Sequence, residues 1–253
     1  MIKACLNGDR HPGARPRVPV TPDELAQAAA DAVAAGAFMV HVHPRGDDGL
    51  ETLETRHVVD AVTAIRARTP GLRVGVSTRA GILNAQQRTL AHVSEWPSPD
   101  LGGPDCASVN WHEPGAVELA EALREKAIGV EAGIWTPRAA TAFVSTSWPW
   151  QVERVLVETI PGVTPGSDGI RAAERILAAL GMSAAPVLVH GEERWAWPVL
   201  RWAQASGHDV RIGLEDTSVL PDGSVPRDNA ELVAAALRSE PGTPSQWPVP
   251  DPG

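Results

Sequence analysis

The chain has no tyrosine, and only two phenylalanines and two cysteines occur among its 253 residues. Two cysteines cannot build a disulfide framework, so the fold has to rely on an ordinary hydrophobic core. No apolar run is long enough to span a bilayer, and the first residues lack the apolar core and cleavage site of a signal peptide. We therefore expect a cytoplasmic protein.

Positive charge is also scarce, because 31 acidic side chains outnumber 22 lysines and arginines and leave a net charge of −9. A surface of that sign repels the phosphate backbone, which argues against a nucleic-acid-binding protein. The hydrophobic share of 43% and charged share of 21% are ordinary for a globular protein. Small molecules are the expected partners, rather than nucleic acid or a membrane.

Strand-like and helix-like segments alternate along the whole chain. The predicted strands are 2–7, 38–43, 73–78, 106–111, 128–134, 154–159, 186–190 and 209–215. The first amphipathic stretch between them begins with Thr21 as N-cap and Pro22 after it. Eight strand–helix pairs are typical of a (β/α)8 TIM barrel, whereas the glycine-rich loop of a doubly wound dinucleotide-binding sheet is missing after the first strand. We predict a single-domain barrel over residues 1–240 and a proline-rich tail over 241–253.

The most informative local feature is the pair His41 and His43 at the end of the second predicted strand. Side chains alternate faces in a strand, so the two imidazoles point one way while Val40 and Val42 point the other. Two imidazoles just before a Pro-Arg-Gly break are typical of a metal site at a strand end. A pair of hydrogen-bonded histidines without a metal is the alternative.

The same alternation places polar side chains inside the predicted barrel. The inward residues are Asn7, His41, His43, Ser77, Ser108, Asn110, Glu131, Glu158, His190, Arg211 and Glu215. Burying so much charge is costly without partners or a metal, and barrel enzymes work at the carboxyl ends of their strands. A purely structural polar network is the alternative. Glu215 is the best third metal ligand, because two imidazoles and one carboxylate leave an open position on a catalytic zinc.

Several segments together resemble the beta-keto acid cleavage enzymes. They are ACLNGDR at 4–10, VPVTPDEL at 18–25, AGA at 35–37, HVHPR at 41–45, GVST at 75–78, ASVN at 107–110, VEAG at 130–133 and RIGLED at 211–216. The segments follow in order through nearly the whole chain. The resemblance implies a zinc-dependent (β/α)8 barrel that converts a beta-keto acid and acetyl-CoA, or another acyl-CoA, into acetoacetate and a new acyl-CoA.

The resemblance also implies roles for single residues. By it, zinc is held by His41, His43 and Glu215, the keto acid by Ser77, Ser108 and Asn110, and the acid–base pair is Asp216 with Arg211. We place Thr78, Glu131 and His190 on the substrate side as well. The chemistry agrees, because Asp216 follows a metal ligand and can act as base on a metal-bound substrate. Arg211 can hold a carboxylate or orient Asp216, and the alternative is that it pairs with Glu131 or Glu158.

One departure concerns the substrate, because Arg79 and Ala80 stand where better-known members of the family carry two glycines. A guanidinium at that position favours a neutral or anionic substrate tail over a cationic amino tail. Alternatively, Arg79 turns away and pairs with an acidic residue. The nine tryptophans and the Pro-Trp tail, together with the resemblance, predict a homo-oligomer.

Two other function classes stay open. Histidine pairs also occur in barrel hydrolases of the amidohydrolase type, although there the pair lies on the first strand and here on the second. A non-catalytic metabolite-binding barrel is the other alternative, and the complete set of candidate ligands and acid–base residues argues against it.

Overall fold

The computed structural model describes residues 1–83, 86–148 and 151–238, and within them strands and helices alternate as the sequence predicts. The strands are β1 Ile2–Cys5, β2 Met39–Val42, β3 Arg73–Ser77, β4 Cys106–Asn110, β5 Gly129–Ile134, β6 Arg154–Thr159, β7 Val187–Gly191 and β8 Val210–Ile212. The helices are α1 Pro22–Ala34, α2 Thr55–Arg68, α3 Gln86–Glu95, α4 Ala116–Glu125, α5 Pro137–Val144, α6 Gly169–Leu180, α7 Ala196–Ala205 and α8 Asn229–Arg238. The proline-rich tail predicted over 241–253 lies outside the described residues.

All eight strands are parallel and follow the order β7-β6-β5-β4-β3-β2-β1-β8. Strands β7 and β8, at the two ends of this order, meet through a parallel bridge between Leu188 and Asp209. There the Val189 amide donates to the Asp209 carbonyl at 2.9 Å. The sheet therefore forms a nearly closed barrel inside a ring of helices. The predicted (β/α)8 TIM barrel is confirmed. None of the helices within the described ranges is long and apolar enough to cross a membrane.

The predicted alternation of side chains along the strands is confirmed. The hydrophobic cluster between strands and helices contains Val40, Val42, Val74, Val76, Ala107, Val109, Val130, Ala132, Val155, Val157, Val189, Val210 and Ile212. The opposite parity carries the buried polar residues of the strands, His41, Ser77 and Asn110 among them. Burial of the apolar parity against helices therefore directs the polar parity to the barrel axis.

Thr21 is the N-cap of helix α1, as predicted. The Thr21 hydroxyl accepts a hydrogen bond from the Glu24 amide at 3.2 Å, and the Glu24 carboxylate accepts one from the Thr21 amide at 3.1 Å. This capping box satisfies two amides that the helix cannot pair internally.

The eighth strand differs from the sequence prediction, because it ends at Ile212 rather than at residue 215. A turn follows, in which the Asp216 amide donates to the Gly213 carbonyl at 3.0 Å. A Cβ atom on Gly213 would lie 1.9 Å from the Cys5 carbonyl oxygen, so only glycine lets the chain pass this close to β1. Glu215 therefore reaches the barrel mouth from a turn and not from the face of a strand.

An ion-pair network fills the barrel below the mouth. Lys3 Nζ lies 2.6 Å from Glu131 Oε2, and Arg154 Nε lies 3.5 Å from Glu131 Oε1. Arg154 also contacts Asp209 at 2.7 Å, at the bridge that closes the barrel. Burial opposes the charge on Lys3, but the Glu131 carboxylate prevails and raises the pKa of Lys3. Glu131, predicted to contact substrate, is instead the buried partner of Lys3.

Candidate active site

A cavity of about 760 Å³, counted with its open mouth, lies at the carboxyl ends of the strands. The cavity is lined by eight of the predicted site residues, namely His41, His43, Ser77, Arg79, Ser108, Asn110, Arg211 and Glu215. Its remaining wall is formed by Asp9, Trp135, Glu158, Ile160, Val163 and Glu192. The barrel thus collects side chains from distant parts of the sequence in one polar cavity.

The two histidines and Glu215 lie together at the wall of this cavity. One ligand atom from each of the three side chains lies within 4.8 Å of the others, which is close enough for all three to share one cation. The atoms His41 Nδ1, His43 Nε2 and Glu215 Oε2 are buried and find no hydrogen-bond partner among the described residues. Unpaired buried polar atoms are costly, and two imidazoles with one carboxylate suit a divalent metal such as zinc.

The electrostatics of the three residues favour a cation at the same point. Burial lowers the pKa of His41 well below its ordinary value, so this ring is a neutral imidazole with a free lone pair. Burial acts on His43 in the same direction, but the carboxylates of Glu215 and Glu51 prevail and raise its pKa to about 9. Burial works against ionisation of Glu215, yet Arg211 and the two histidines hold its pKa well below its usual range. Both carboxylates beside His43 therefore attract positive charge.

Glu51 is a site residue that sequence reasoning missed. Its Oε1 atom lies 2.5 Å from His43 Nδ1, on the side of the ring away from Glu215. Arg79 contacts the same carboxylate through Nε, at 3.2 Å, and through Nη2. The loop after β2 folds back through an antiparallel bridge between Arg45 and Glu51. No local periodicity signals such a return, so nothing in the sequence pattern indicated this contact.

Arg79 adopts the second of the two arrangements considered for it. Its guanidinium lines the cavity but is paired with Glu51 and lies 3.3 Å from Asp9 Oδ2. The expected preference for an anionic or neutral substrate tail assumed an unpaired Arg79. With its charge engaged by two carboxylates, that preference no longer follows.

Arg211 connects the two acidic residues of the turn after β8. Its Nε and Nη2 atoms donate to Asp216 Oδ1 at 3.0 and 2.7 Å, and Nη2 also contacts Glu215 Oε1 at 3.0 Å. Arg211 therefore pairs with Asp216 and Glu215, and the alternative pairing with Glu131 or Glu158 is not observed. Asp216 is fully buried behind the cavity wall, while Arg211 lines the cavity. Burial raises the pKa of Asp216, although Arg211 opposes the shift.

Three residues assigned to the substrate side do not line the cavity. Thr78 points away from it and donates to the Ser108 carbonyl at 2.6 Å. His190 is fully buried, with Nε2 3.3 Å from Glu158 Oε2 and Nδ1 3.6 Å from Asp216 Oδ1. Glu131 is the third, held by Lys3 below the mouth. Strand parity predicts which face a side chain occupies but not its depth along the barrel axis. The charged residues around it then determine which ion pairs it forms.

Two further cavity residues come directly after strands. Trp135 follows β5 and packs against His112, with ring centroids 4.3 Å apart and the ring planes inclined by 42°. Glu192 follows β7, and burial raises its pKa to about 8. Trp135 could have been predicted as a site residue, because it directly follows a predicted strand and barrel sites form at the carboxyl ends of strands.

Known proteins are similar to this chain along most of its length. A family model described as beta-keto acid cleavage enzyme matches residues 1–240. A 3-keto-5-aminohexanoate cleavage enzyme of Acetoanaerobium sticklandii is 25% identical over 235 residues, covering 88% of this chain and 84% of that protein. A 3-oxoadipate:acetyl-CoA acetyltransferase of Cupriavidus necator is 27% identical over 244 residues, covering 90% and 84%.

A solved structure, the ternary complex of ObcA with C4-CoA adduct and oxalate, is similar in fold. It has a TM-score of 0.65 and 16% sequence identity over 86% of this chain. This chain spans about 62% of the ObcA chain. At that identity the likeness concerns the barrel alone.

Proposed function

This chain belongs to the beta-keto acid cleavage enzyme family, whose model matches residues 1–240, and from that premise we propose that it transfers the acyl part of a beta-keto acid to coenzyme A in a metal-dependent reaction. With acetyl-CoA as the second substrate, the products are acetoacetate and a new acyl-CoA. The observation that carries the proposal is the group His41, His43 and Glu215, with ligand atoms within 4.8 Å of one another at the cavity wall.

The proposed reaction balances without an oxidant, a reductant or water. The bond between C2 and C3 of the keto acid breaks, and its acyl part ends as the new thioester. The carboxymethyl fragment forms a bond to the carbonyl carbon of the acetyl group, which leaves coenzyme A. One carbon–carbon bond and one thioester are broken, and one of each is formed.

The three donors would hold the metal, which we propose to be zinc. When bound, a divalent metal supplies Lewis-acid polarisation of the keto carbonyl. Ser77, Ser108 and Asn110 line the same cavity with neutral polar groups, which suit the substrate carboxylate beside the metal site. We keep them as proposed substrate-binding residues.

Cleavage also needs a group that takes up and returns a proton. We propose that Asp216 and Arg211 act as this pair, with Arg211 facing the cavity and Asp216 behind it. Asp216 Oδ2 is buried without a hydrogen-bond partner among the described residues, while Oδ1 accepts from Arg211. A buried carboxylate with a raised pKa and one free oxygen is suited to accept a proton.

A substrate screen tests this proposal. Zinc-loaded protein is incubated with a panel of beta-keto acids and acetyl-CoA, including an aminated and a dicarboxylic keto acid, and acetoacetate is measured. We expect acetoacetate with at least one member and none with His41→Ala or His43→Ala. Loss of substrate without use of acetyl-CoA would indicate a hydrolase, and binding without turnover would indicate a metabolite-binding barrel. Either result would contradict the proposal.

A further inference from the structure

The contact of His43 with Glu51 has a defined geometry. The His43 side chain is almost completely buried, at 4% exposure, and Glu51 is 11% exposed. Glu51 Oε1 lies 2.5 Å from Nδ1, and Glu215 Oε1 lies 3.5 Å from Nε2. The ring is therefore held between two carboxylates, one at each nitrogen.

Glu51 is itself held in place by Arg79. The guanidinium contacts both Glu51 oxygens, with Nε 3.2 Å from Oε1 and Nη2 at Oε2. Its Nη2 atom also lies 3.3 Å from Asp9 Oδ2. Arg79 follows β3, Glu51 belongs to the loop after β2, and Asp9 to the loop after β1. The guanidinium thus links three loops at the barrel mouth.

We propose that Glu51 and Arg79 are a positioning pair for His43, so that Arg79 serves the metal site and does not recognise the substrate tail. This inference rests on the metal site of the proposed function. Glu51 accepts the hydrogen bond from Nδ1–H, which fixes the imidazole tautomer and leaves the Nε2 lone pair free on the Glu215 side. Arg79 fixes the carboxylate that does so.

The physical reason is that imidazole has two nitrogens with different roles. A neutral histidine carries its proton on either nitrogen, and only the bare nitrogen binds a metal. A carboxylate that accepts from the other nitrogen selects the competent tautomer, orients the ring and raises the basicity of the ligand. His43 Nε2 is buried without a hydrogen-bond partner among the described residues, and Nδ1 faces Glu51, which is the geometry this effect requires.

Backbone hydrogen bonds of the surrounding loop hold Glu51 beside His43. The Gly46 amide donates to the Leu50 carbonyl at 2.8 Å, and the Thr52 amide donates to the Pro44 carbonyl at 3.0 Å. The loop that carries Glu51 is therefore a small hairpin joined to the end of β2. Removal of the Glu51 side chain is expected to leave this hairpin intact.

Zinc affinity, measured by competition with a chromogenic chelator, tests the inference. We expect Glu51→Ala to weaken zinc binding by about 10–100-fold and Glu51→Gln by less, because the amide oxygen still accepts from Nδ1–H. Arg79→Ala is expected to weaken binding measurably but less than Glu51→Ala, and Arg79→Lys to recover part of the loss. Glu54→Gln and Arg56→Ala are matched controls, since both side chains are exposed in an ion pair of the same segment.

Two further readouts separate a positioning role from other roles. In the zinc-loaded wild type, nuclear magnetic resonance should show a slowly exchanging, downfield Nδ1–H of His43, which Glu51→Ala removes and Glu54→Gln retains. The ratio of kcat/KM for a dicarboxylic and an aminated keto acid should be unchanged in Arg79→Ala.

The outcomes distinguish this inference from the proposed function. Zinc affinity of Glu51→Ala and Glu51→Gln equal to that of the wild type would overturn the inference alone. So would a changed substrate ratio with unchanged zinc affinity in Arg79→Ala, which would return Arg79 to substrate recognition. A wild-type protein that takes up no zinc would overturn the proposed metal site and the inference with it.

Discussion

At the scale of single residues, the behaviour of each buried carboxylate is set by the cation it meets. Glu131 is paired with Lys3, Glu51 with Arg79 and His43, and Asp216 with Arg211. Glu215 contacts Arg211 through Oε1, while its Oε2 atom has no hydrogen-bond partner among the described residues. Because an unpaired buried anion is costly, that oxygen is the one best placed to accept a metal ion.

Removal of either histidine tests the metal site directly. We expect His41→Ala and His43→Ala to lose most of the zinc that the wild type retains through chelator-free purification, since only two donors remain. Thermal unfolding of both variants should match that of the wild type stripped of metal, because the ligands lie at the mouth and not in the core between strands and helices. Elemental analysis checks the metal content. Full zinc occupancy in both variants would contradict the assignment.

The acid–base assignment is tested by Asp216→Asn. Asparagine keeps the shape of the side chain and can still accept the hydrogen bond from Arg211, but it cannot take up a proton. We expect unchanged zinc content and a kcat lower by about 10²–10⁴-fold, the usual contribution of a general base. A variant with wild-type kcat would show that Asp216 is not the base.

At the scale of secondary-structure elements, local sequence chemistry sets where helices begin. The capping box of α1 is encoded by Thr21 and Glu24, three residues apart. We expect Thr21→Ala to lower the free energy of unfolding by about 1 kcal/mol, and Tm by about 2–4 °C in a domain of this size. Thr63→Ala, at an exposed position inside α2, is the control and should not lower Tm. Equal effects in the two variants would contradict the role of the cap.

The ion pair between β1 and β5 is an element-scale contact that joins strands distant in sequence. Lys3 and Glu131 are both fully buried and 2.6 Å apart. We expect Lys3→Met to destabilise the barrel by up to about 3–5 kcal/mol, because the buried Glu131 then keeps only its longer, 3.5 Å contact with Arg154. Denaturant unfolding measures the loss, and the double change Lys3→Met with Glu131→Gln should regain part of it. A single variant as stable as the wild type would contradict this role of the pair.

At the scale of the whole molecule, the fold could be predicted from the sequence far better than the site. Strand and helix periodicities are local features of the sequence. The eight strand–helix pairs and the strand positions that face the barrel interior could therefore be predicted. His41 and Ser77 were identified in this way. Glu51 was not, because a hairpin brings it to His43, and neither was the burial of Asp216, which depends on where β8 ends. Contacts made by loops depend on the assembled barrel and leave no periodic signal.

The predicted homo-oligomer remains a prediction at this scale. Its argument from exposed tryptophans is weakened, since Trp96, Trp111, Trp148, Trp195 and Trp197 are buried within the chain. It rests now on the family resemblance and on the proline-rich tail outside the described residues. We expect light scattering at micromolar concentration to give a multiple of 26.7 kDa. The mass of one chain would refute the prediction.

One isotope-labelling measurement tests the proposed function most directly. Zinc-loaded protein is given a beta-keto acid that the screen selects and acetyl-CoA labelled with carbon-13 at both acetyl carbons. Because the acetyl group joins the carboxymethyl fragment, acetoacetate should carry the label at C3 and C4 and none at C1 and C2, with one unlabelled new acyl-CoA formed for each acetoacetate. Acetoacetate labelled elsewhere, or free coenzyme A and acetate without acetoacetate, would contradict acyl transfer by carbon–carbon cleavage.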